Sequence, residues 1–196
     1  MVNTIKEINS LWRPIFPYLA DFAESFLPSR GGRIAEIGPF CGVIYELSKR
    51  KLGEEFHILC FPPGVERIYR TEIFEEGIFN VGIVLTDPSF SGVRDGCFDF
   101  IFFRGAFFFP SIFHVDLLSL FRILNEKGVA VIGGGFGALT PSCILESIKE
   151  RSKILNSKLG KIDIARETVW SAVKSAKLEG YATLIEEGGL WLILKK

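Results

Sequence analysis

Five short apolar segments alternate with helical patterns over the first two-thirds of the chain, and this alternation limits the fold more than any other feature. The apolar segments are residues 34–37, 57–61, 81–85, 98–103 and 129–133. Strands that are apolar on both faces and separated by helices form parallel sheets that are covered on both sides. Right-handed crossovers between such strands predict a doubly wound, Rossmann-like α/β sandwich with a mainly parallel sheet.

The helices between these strands are predicted from the spacing of apolar residues and from the glycines and prolines that end them. They cover residues 43–52, 64–76 and 111–124, and a turn follows at 125–128. The first thirty residues are also predicted to be helical, as an N-terminal extension (1–30) of the sandwich (31–196). We predict a single domain over residues 1–196, because a chain of 196 residues suits one core and contains no evident linker.

The last third of the chain predicts two helices and a hairpin. Thr140 is a suitable N-cap for a helix over residues 140–160, and Asp163 is expected to cap another over 163–180. Two adjacent glycines at 188–189 then separate two apolar segments. Central residues that accept positive φ are what a tight hairpin turn requires, so the chain is predicted to end in an antiparallel hairpin.

The charge balance and the apolar runs exclude several classes of protein. The 23 Lys and Arg residues equal the 23 Asp and Glu residues, so we expect no nucleic-acid binding through phosphate neutralisation. The longest uncharged apolar runs are about half of what a membrane span needs. The N-terminus lacks the basic and apolar regions of a signal peptide, which favours a cytoplasmic protein without a membrane span.

The four cysteines are Cys41, Cys60, Cys97 and Cys143. No two of them have the spacing of metal ligands, and each lies among apolar neighbours. We therefore expect reduced, buried thiols and neither a metal site nor a disulfide framework.

The segment Arg33–Gly42 joins the first strand to the next helix through a turn that contains glycine, with Glu36 near the end of the strand. A strand–turn–helix unit of this kind brings backbone N–H groups and a helix N-terminus together at one edge of a sheet. It predicts a binding site for a nucleoside-like ligand. Two simpler roles stay open: Glu36 as a partner of the helix dipole, and the glycines as points of tight packing.

Four motifs and the terminal hairpin resemble the class I S-adenosylmethionine-dependent methyltransferases. The motifs are Glu36-Ile-Gly-Pro-Phe-Cys-Gly42, Thr86-Asp-Pro88, Asp95-Gly-Cys-Phe-Asp99 and Leu124-Asn-Glu-Lys-Gly128. The hairpin is similar to the reversed seventh strand of that family. Over residues 31–196, the resemblance implies an enzyme that transfers a methyl group from S-adenosylmethionine to a small molecule.

The resemblance also implies roles for individual residues at the cofactor site. Gly38 and Gly42 would let the backbone approach the methionine part of the cofactor, and Glu36 would accept hydrogen bonds there. Asp87 would face the adenine. Arg104, at the end of the fourth strand, would lie between the cofactor and the substrate.

Two aromatic residues depart from the family pattern. Phe40 stands where the family usually has glycine, and Phe61 ends the second strand, where the family has an acid that accepts the ribose hydroxyls; Glu66 is the nearest substitute. If Phe40 and Phe61 fill the cofactor cleft, the chain is instead a non-catalytic protein of the same fold with a binding or assembly role. A nicotinamide-dependent oxidoreductase is disfavoured, because residues 38–42 lack the Gly-x-Gly-x-x-Gly spacing.

Three features near the expected site keep more than one interpretation. His114, in the first turn of the predicted helix 111–124, is either a general base or a surface histidine. Residues 107–109, all phenylalanine, form a pocket for a hydrophobic substrate, a homodimer contact or ordinary packing. The glycine-rich segment 133–137 is expected to be a hinge that closes over the site.

Overall fold

The structure, a computed structural model, describes all 196 residues and has one seven-stranded sheet. The strands are β1 (Arg33–Ile37), β2 (Glu55–Cys60), β3 (Val81–Leu85), β4 (Phe98–Arg104), β5 (Leu124–Gly135), β6 (Ala182–Ile185) and β7 (Gly189–Lys195). Their order is β3-β2-β1-β4-β5-β7-β6. Strands β1 to β5 are parallel, and β7 is antiparallel to both β5 and β6. The predicted Rossmann-like sheet with a C-terminal antiparallel hairpin is confirmed.

Seven α-helices accompany the sheet. They are α1 (Val2–Trp12), α2 (Phe16–Glu24), α3 (Val43–Lys49), α4 (Glu66–Glu76), α5 (Leu117–Ile123), α6 (Ser142–Lys158) and α7 (Arg166–Ser175). Short 3₁₀ turns at Arg13–Ile15 and Glu179–Tyr181 complete the chain. None of the helices has the length and apolar character needed to cross a membrane.

The N-terminal helices pack onto the sandwich and share its hydrophobic core. The buried face of α1 carries Ile5, Ile8, Asn9 and Trp12, at helical spacing. The Trp12 ring stacks on Phe136, with 4.8 Å between the ring centroids, and its Nε1 donates to the Ser152 hydroxyl at 3.1 Å. This packing fixes α1 beside the carboxyl ends of the central strands.

The prediction for residues 111–124 was wrong in its first half. The helix is only α5, because the Asp116 carboxylate accepts the Ser119 N–H at 3.0 Å and so caps the helix at that point. The turn predicted at 125–128 falls within β5, where the pairing with β4 shifts register, as at a β-bulge.

The two predicted helix caps in the last third were also wrong. Helix α6 begins at Ser142, and the Thr140 hydroxyl donates to the Phe136 carbonyl instead of capping the helix. Helix α7 begins at Arg166, which leaves Asp163 outside the helix. Cys143 is exposed at the start of α6 and Cys97 is half-buried, so the expectation of buried thiols holds only for Cys41 and Cys60.

The glycine-rich segment 133–137 is part of the sheet and not a free hinge. Residues 133–135 pair with β7, and the next two N–H groups both donate to the Gly188 carbonyl, at 2.8 and 3.0 Å. A Cβ atom on Gly133 would lie 2.9 Å from the Trp191 Cα. These glycines therefore allow β5 and β7 to approach closely.

Replacing Gly133 by alanine tests this packing. Gly133→Ala is expected to lower the free energy of unfolding by about 1–3 kcal/mol, because backbone atoms of β7 must move to admit the methyl group. Gly180→Ala is the matched control, since a Cβ there would meet no atom within 4 Å. Denaturant unfolding measures the free energy of unfolding of both variants. Equal losses in the two variants would contradict the close packing of β5 against β7 at Gly133.

Candidate functional site

The Glu36 carboxylate organises the turn between β1 and α3. Glu36 is fully buried, and its Oε2 accepts the N–H groups of Gly42 and Ile44, each at 2.8 Å. These N–H groups lie at the N-terminus of α3, the positive end of the helix dipole, so the carboxylate stabilises the start of this helix. These hydrogen bonds are also what the simpler role of Glu36, as a partner of the helix dipole, requires, so its role at a cofactor site stays a prediction.

The second oxygen of Glu36 is unsatisfied. Oε1 is buried and has no hydrogen-bond partner. Burial raises the pKa of Glu36 to about 7, although the N–H groups of Gly42 and Ile44 and the charge of Arg104 act in the opposite direction. A buried polar atom without a partner is costly, and perturbed carboxylates of this kind concentrate at functional sites.

Arg104 lies at the end of β4 and is only 4% exposed. Its Nε donates to the Phe40 carbonyl at 3.0 Å, its Nη2 donates to Asn9 Oδ1 at 3.4 Å, and the guanidinium lies 4.5 Å from the Trp12 ring centroid. No carboxylate lies within ion-pair distance of Arg104. Burial lowers its pKa to about 10, so the side chain remains cationic at neutral pH.

Two residues that hold the same turn were not predicted from the sequence. Asn9 Nδ2 donates to the Pro39 carbonyl at 3.1 Å, and the Tyr69 hydroxyl accepts the Cys41 N–H at 3.1 Å. Asn9 could have been found as the one polar residue on the apolar face of α1. Together with Glu36 and Arg104, these side chains engage much of the polar backbone of residues 38–42.

Aromatic rings cover the glycines of the predicted site. A Cβ atom on Gly38 would lie 2.9 Å from the Phe103 ring, and one on Gly42 would overlap the Phe16 ring. Phe40 is 1% exposed. Its ring packs on Phe109, with 4.5 Å between the centroids. Aromatic side chains of the protein itself therefore occupy the space that the missing Cβ atoms of these glycines leave.

Phe103 and three further rings form an aromatic cluster, which we define as Phe61, Phe90, Phe103 and Phe113. Phe61 contacts the other three, with centroid distances of 6.4, 6.1 and 5.2 Å respectively, and each ring is at most 5% exposed. Phe90 reaches the cluster with φ at +52°, a conformation that is uncommon outside glycine. The aromatic cluster joins the residue that follows β2, a residue of β4 and two residues from the segments before and after β4.

The remaining predicted residues do not join Glu36 and Arg104. Asp87 is exposed, and its carboxylate accepts the N–H groups of Ser89 and Ser91 within its own turn. Glu66 accepts the Gly64 N–H at 2.6 Å at the start of α4. His114 is exposed in the irregular segment before α5, where no hydrogen bond supports the role of a general base.

A cavity of about 110 Å³ lies beside Arg104. Trp12, Phe40, Phe108 and Phe136 form its apolar walls, together with Gly134 and Gly135 of β5. A groove of about 360 Å³ adjoins it and shares Phe136, Asn156 and Lys161 with the cavity. The cavity and the groove are therefore neighbours, and both lie near the end of β4.

The sheet order and the reversed β7 give the chain the fold of the class I S-adenosylmethionine-dependent methyltransferases, and solved structures agree. A candidate S-adenosyl-L-methionine-dependent methyltransferase from Methanococcus maripaludis has a TM-score of 0.74 at 22% identity, covering 100% of this chain and 91% of that one. A SAM-dependent methyltransferase from Aquifex aeolicus has a TM-score of 0.63 at 15% identity, covering 99% and 96%.

A third similar structure contains a cofactor product. The geranyl diphosphate C-methyltransferase from Streptomyces coelicolor, in complex with S-adenosyl-L-homocysteine, has a TM-score of 0.60 at 13% identity, covering 90% of this chain and 78% of that one. No protein-family model and no curated protein matches the sequence. The likeness is thus one of fold.

The chemistry of the turn suits one part of S-adenosylmethionine, but the space beside it is filled. The unpaired Glu36 Oε1 suits an amino-bearing group, which would supply the missing hydrogen bond, yet Glu36 is fully buried and aromatic rings cover Gly38 and Gly42. The aromatic cluster leaves no room for a nucleoside, and the cavity of about 110 Å³ is smaller than the ~300–1,000 Å³ of usual ligand sites. A nucleoside fits only after aromatic side chains move.

The pKa of Glu36 predicts a pH dependence of stability. In the unfolded chain the carboxyl group titrates near 4.5, and in the folded chain near 7. Between these values the folded state keeps a proton that the unfolded state has released, so stability falls as pH rises. The free energy of unfolding decreases by roughly 3 kcal/mol in total, and the decrease is complete above the pKa of Glu36 in the folded chain.

Glu36→Gln isolates this contribution, because the amide keeps an acceptor for the two N–H groups and does not titrate. We expect the free energy of unfolding of the wild type, relative to that of the variant, to decrease between about pH 4.5 and pH 7. Denaturant unfolding at several pH values measures the difference. Parallel profiles would show that Glu36 does not titrate as described.

Proposed function

We propose that this protein is an S-adenosylmethionine-dependent methyltransferase that acts on a small molecule. The observation that carries the proposal is the unsatisfied Glu36 Oε1 beside a glycine turn, within a methyltransferase-type sheet. The similar structures, one of them with S-adenosyl-L-homocysteine, support this cofactor. Residues 38–42 would hold its methionine part, and Arg104 would face the acceptor.

When bound, this cofactor supplies a methyl carbon to which the acceptor's lone pair bonds, while the carbon–sulfur electron pair stays on sulfur. The chain's own contribution is orientation and exclusion of water, which together lower such barriers substantially. The stacked Trp12 and Phe136 rings close one side of the cavity. The cavity wall contains no carboxylate and no histidine, which favours an acceptor that arrives without a proton to lose.

A second candidate is a non-catalytic protein of the same fold with a binding or assembly role. The aromatic cluster favours this candidate, because its rings take space at the strand ends where sheets of this type bind ligands. A homodimer contact at residues 107–109 has less support, since Phe109 is buried and its two neighbours are half-buried. Homodimerisation stays a prediction.

Calorimetric titration with S-adenosylhomocysteine separates the two candidates. The methyltransferase proposal predicts micromolar binding of S-adenosylhomocysteine and no binding of NAD, the control nucleotide. Absence of heat with either ligand would contradict the proposal and support the non-catalytic candidate.

Phe61→Leu tests whether the aromatic cluster opposes the cofactor. Removing part of this ring is expected to cost roughly 1–2 kcal/mol of stability and to tighten the binding of S-adenosylhomocysteine several-fold, because less packing must be displaced. Phe98→Leu is the matched control, since both residues are 3% exposed and Phe98 lies at the opposite end of the sheet.

Both leucine variants should lose similar stability, and only Phe61→Leu should change the dissociation constant measured by calorimetry. Unchanged or weaker binding in Phe61→Leu, with normal binding in Phe98→Leu, would show that the Phe61 ring does not compete with the cofactor.

A further inference from the structure

The cavity and the adjoining groove together have a surplus of positive charge. Arg104 lines the cavity, Lys161 lines both the cavity and the groove, and Lys149 and Lys153 line the groove. None of these four side chains forms an ion pair, and Asp163 is the one acidic residue in either lining. The whole chain has a formal net charge of zero, so this surplus is local.

The cavity combines this charge with aromatic walls. Phe136 lines both the cavity and the groove, and the Phe108 ring packs over Gly134. The Lys161 ammonium lies 5.5 Å from the Phe108 ring centroid, at the boundary of the two spaces. A ligand that fits must therefore place an apolar part inside and a negative group near the lysines.

The buried guanidinium supports the same class of ligand. Two nitrogens of Arg104, Nε and Nη2, donate hydrogen bonds within the protein. The third, Nη1, has no acceptor, and the residue lines the cavity. A desolvated cation without a carboxylate partner favours an anionic or electron-rich atom beside it. The atom of the acceptor that receives the methyl group would lie beside the Arg104 guanidinium.

We propose that the methyl acceptor is a small organic acid, with its apolar body between Phe108 and Phe136 and its carboxylate or phosphate at Lys149, Lys153 and Lys161. This inference rests on the methyltransferase proposal for the reaction. The anion site itself is tested without the cofactor. Three lysines around one groove match a single charged group, whereas a nucleic acid would need a longer basic surface.

Calorimetric titration with phenylacetate and phenyl phosphate tests the site, with benzyl alcohol as the uncharged control. We expect at least one acid to bind with a dissociation constant of about 1 mM or tighter, and benzyl alcohol to bind at least tenfold more weakly. Binding of the acid should weaken with added salt, because the lysines are exposed. Comparison of the two acids distinguishes a carboxylate site from a phosphate site.

Two triple variants locate the binding. Lys149→Ser/Lys153→Ser/Lys161→Ser should weaken acid binding at least tenfold. The matched control replaces Lys127, Lys174 and Lys195, which are exposed, unpaired and outside the groove, and it should bind normally. Both sets lie on the surface, so circular dichroism should show folded proteins.

Several results would overturn the anion site: no binding of either acid, equal binding of benzyl alcohol, equal loss in both triple variants, or binding of inorganic phosphate as tight as that of the acids. Binding of an acid together with failure of S-adenosylhomocysteine to bind would support the anion site and contradict the methyltransferase proposal. The two proposals therefore fail separately.

Discussion

The buried guanidinium of Arg104 joins three parts of the molecule that are distant in sequence. It connects the end of β4 to the turn after β1 through the Phe40 carbonyl, and to α1 through Asn9 and the Trp12 ring. Burial of a cation costs several kcal/mol, which these hydrogen bonds, the ring contact and the Glu36 charge must offset. The position of the N-terminal helices depends on this arrangement.

Aromatic rings also cover the glycine turn after β1. Fixing α1 and α2 beside the sheet brings the Phe16 ring onto Gly42, while the Phe103 ring covers Gly38. In a chain that binds a nucleoside, backbone at these positions would face the ligand. Here aromatic rings cover both glycines, so a cofactor bound there would have to displace these rings, and the energy of this displacement would lower its affinity.

Much of the fold could be predicted from the sequence, because strand alternation and the double glycine at 188–189 are local signals. Glu36 and Arg104 could also be singled out from the sequence, since each lies near a strand end, and their roles at a cofactor site stay predictions. The sequence could not show that Asn9 and Tyr69 hold the same turn, because these contacts span 30 and 28 residues. The Thr140 cap failed because its hydroxyl donates to a backbone carbonyl four residues earlier, and nothing in the structure explains why Asp163 is not a cap.

Amide hydrogen exchange of Arg104→Met tests most directly whether Arg104 holds the N-terminal helices to the glycine turn. Methionine keeps the apolar packing and removes the charge and its donors. We predict that amides of α1, α2, Gly42 and Ile44 lose protection while those of β6 and β7 keep it. Unchanged exchange in α1 and α2, or an equal loss throughout the chain, would contradict this account.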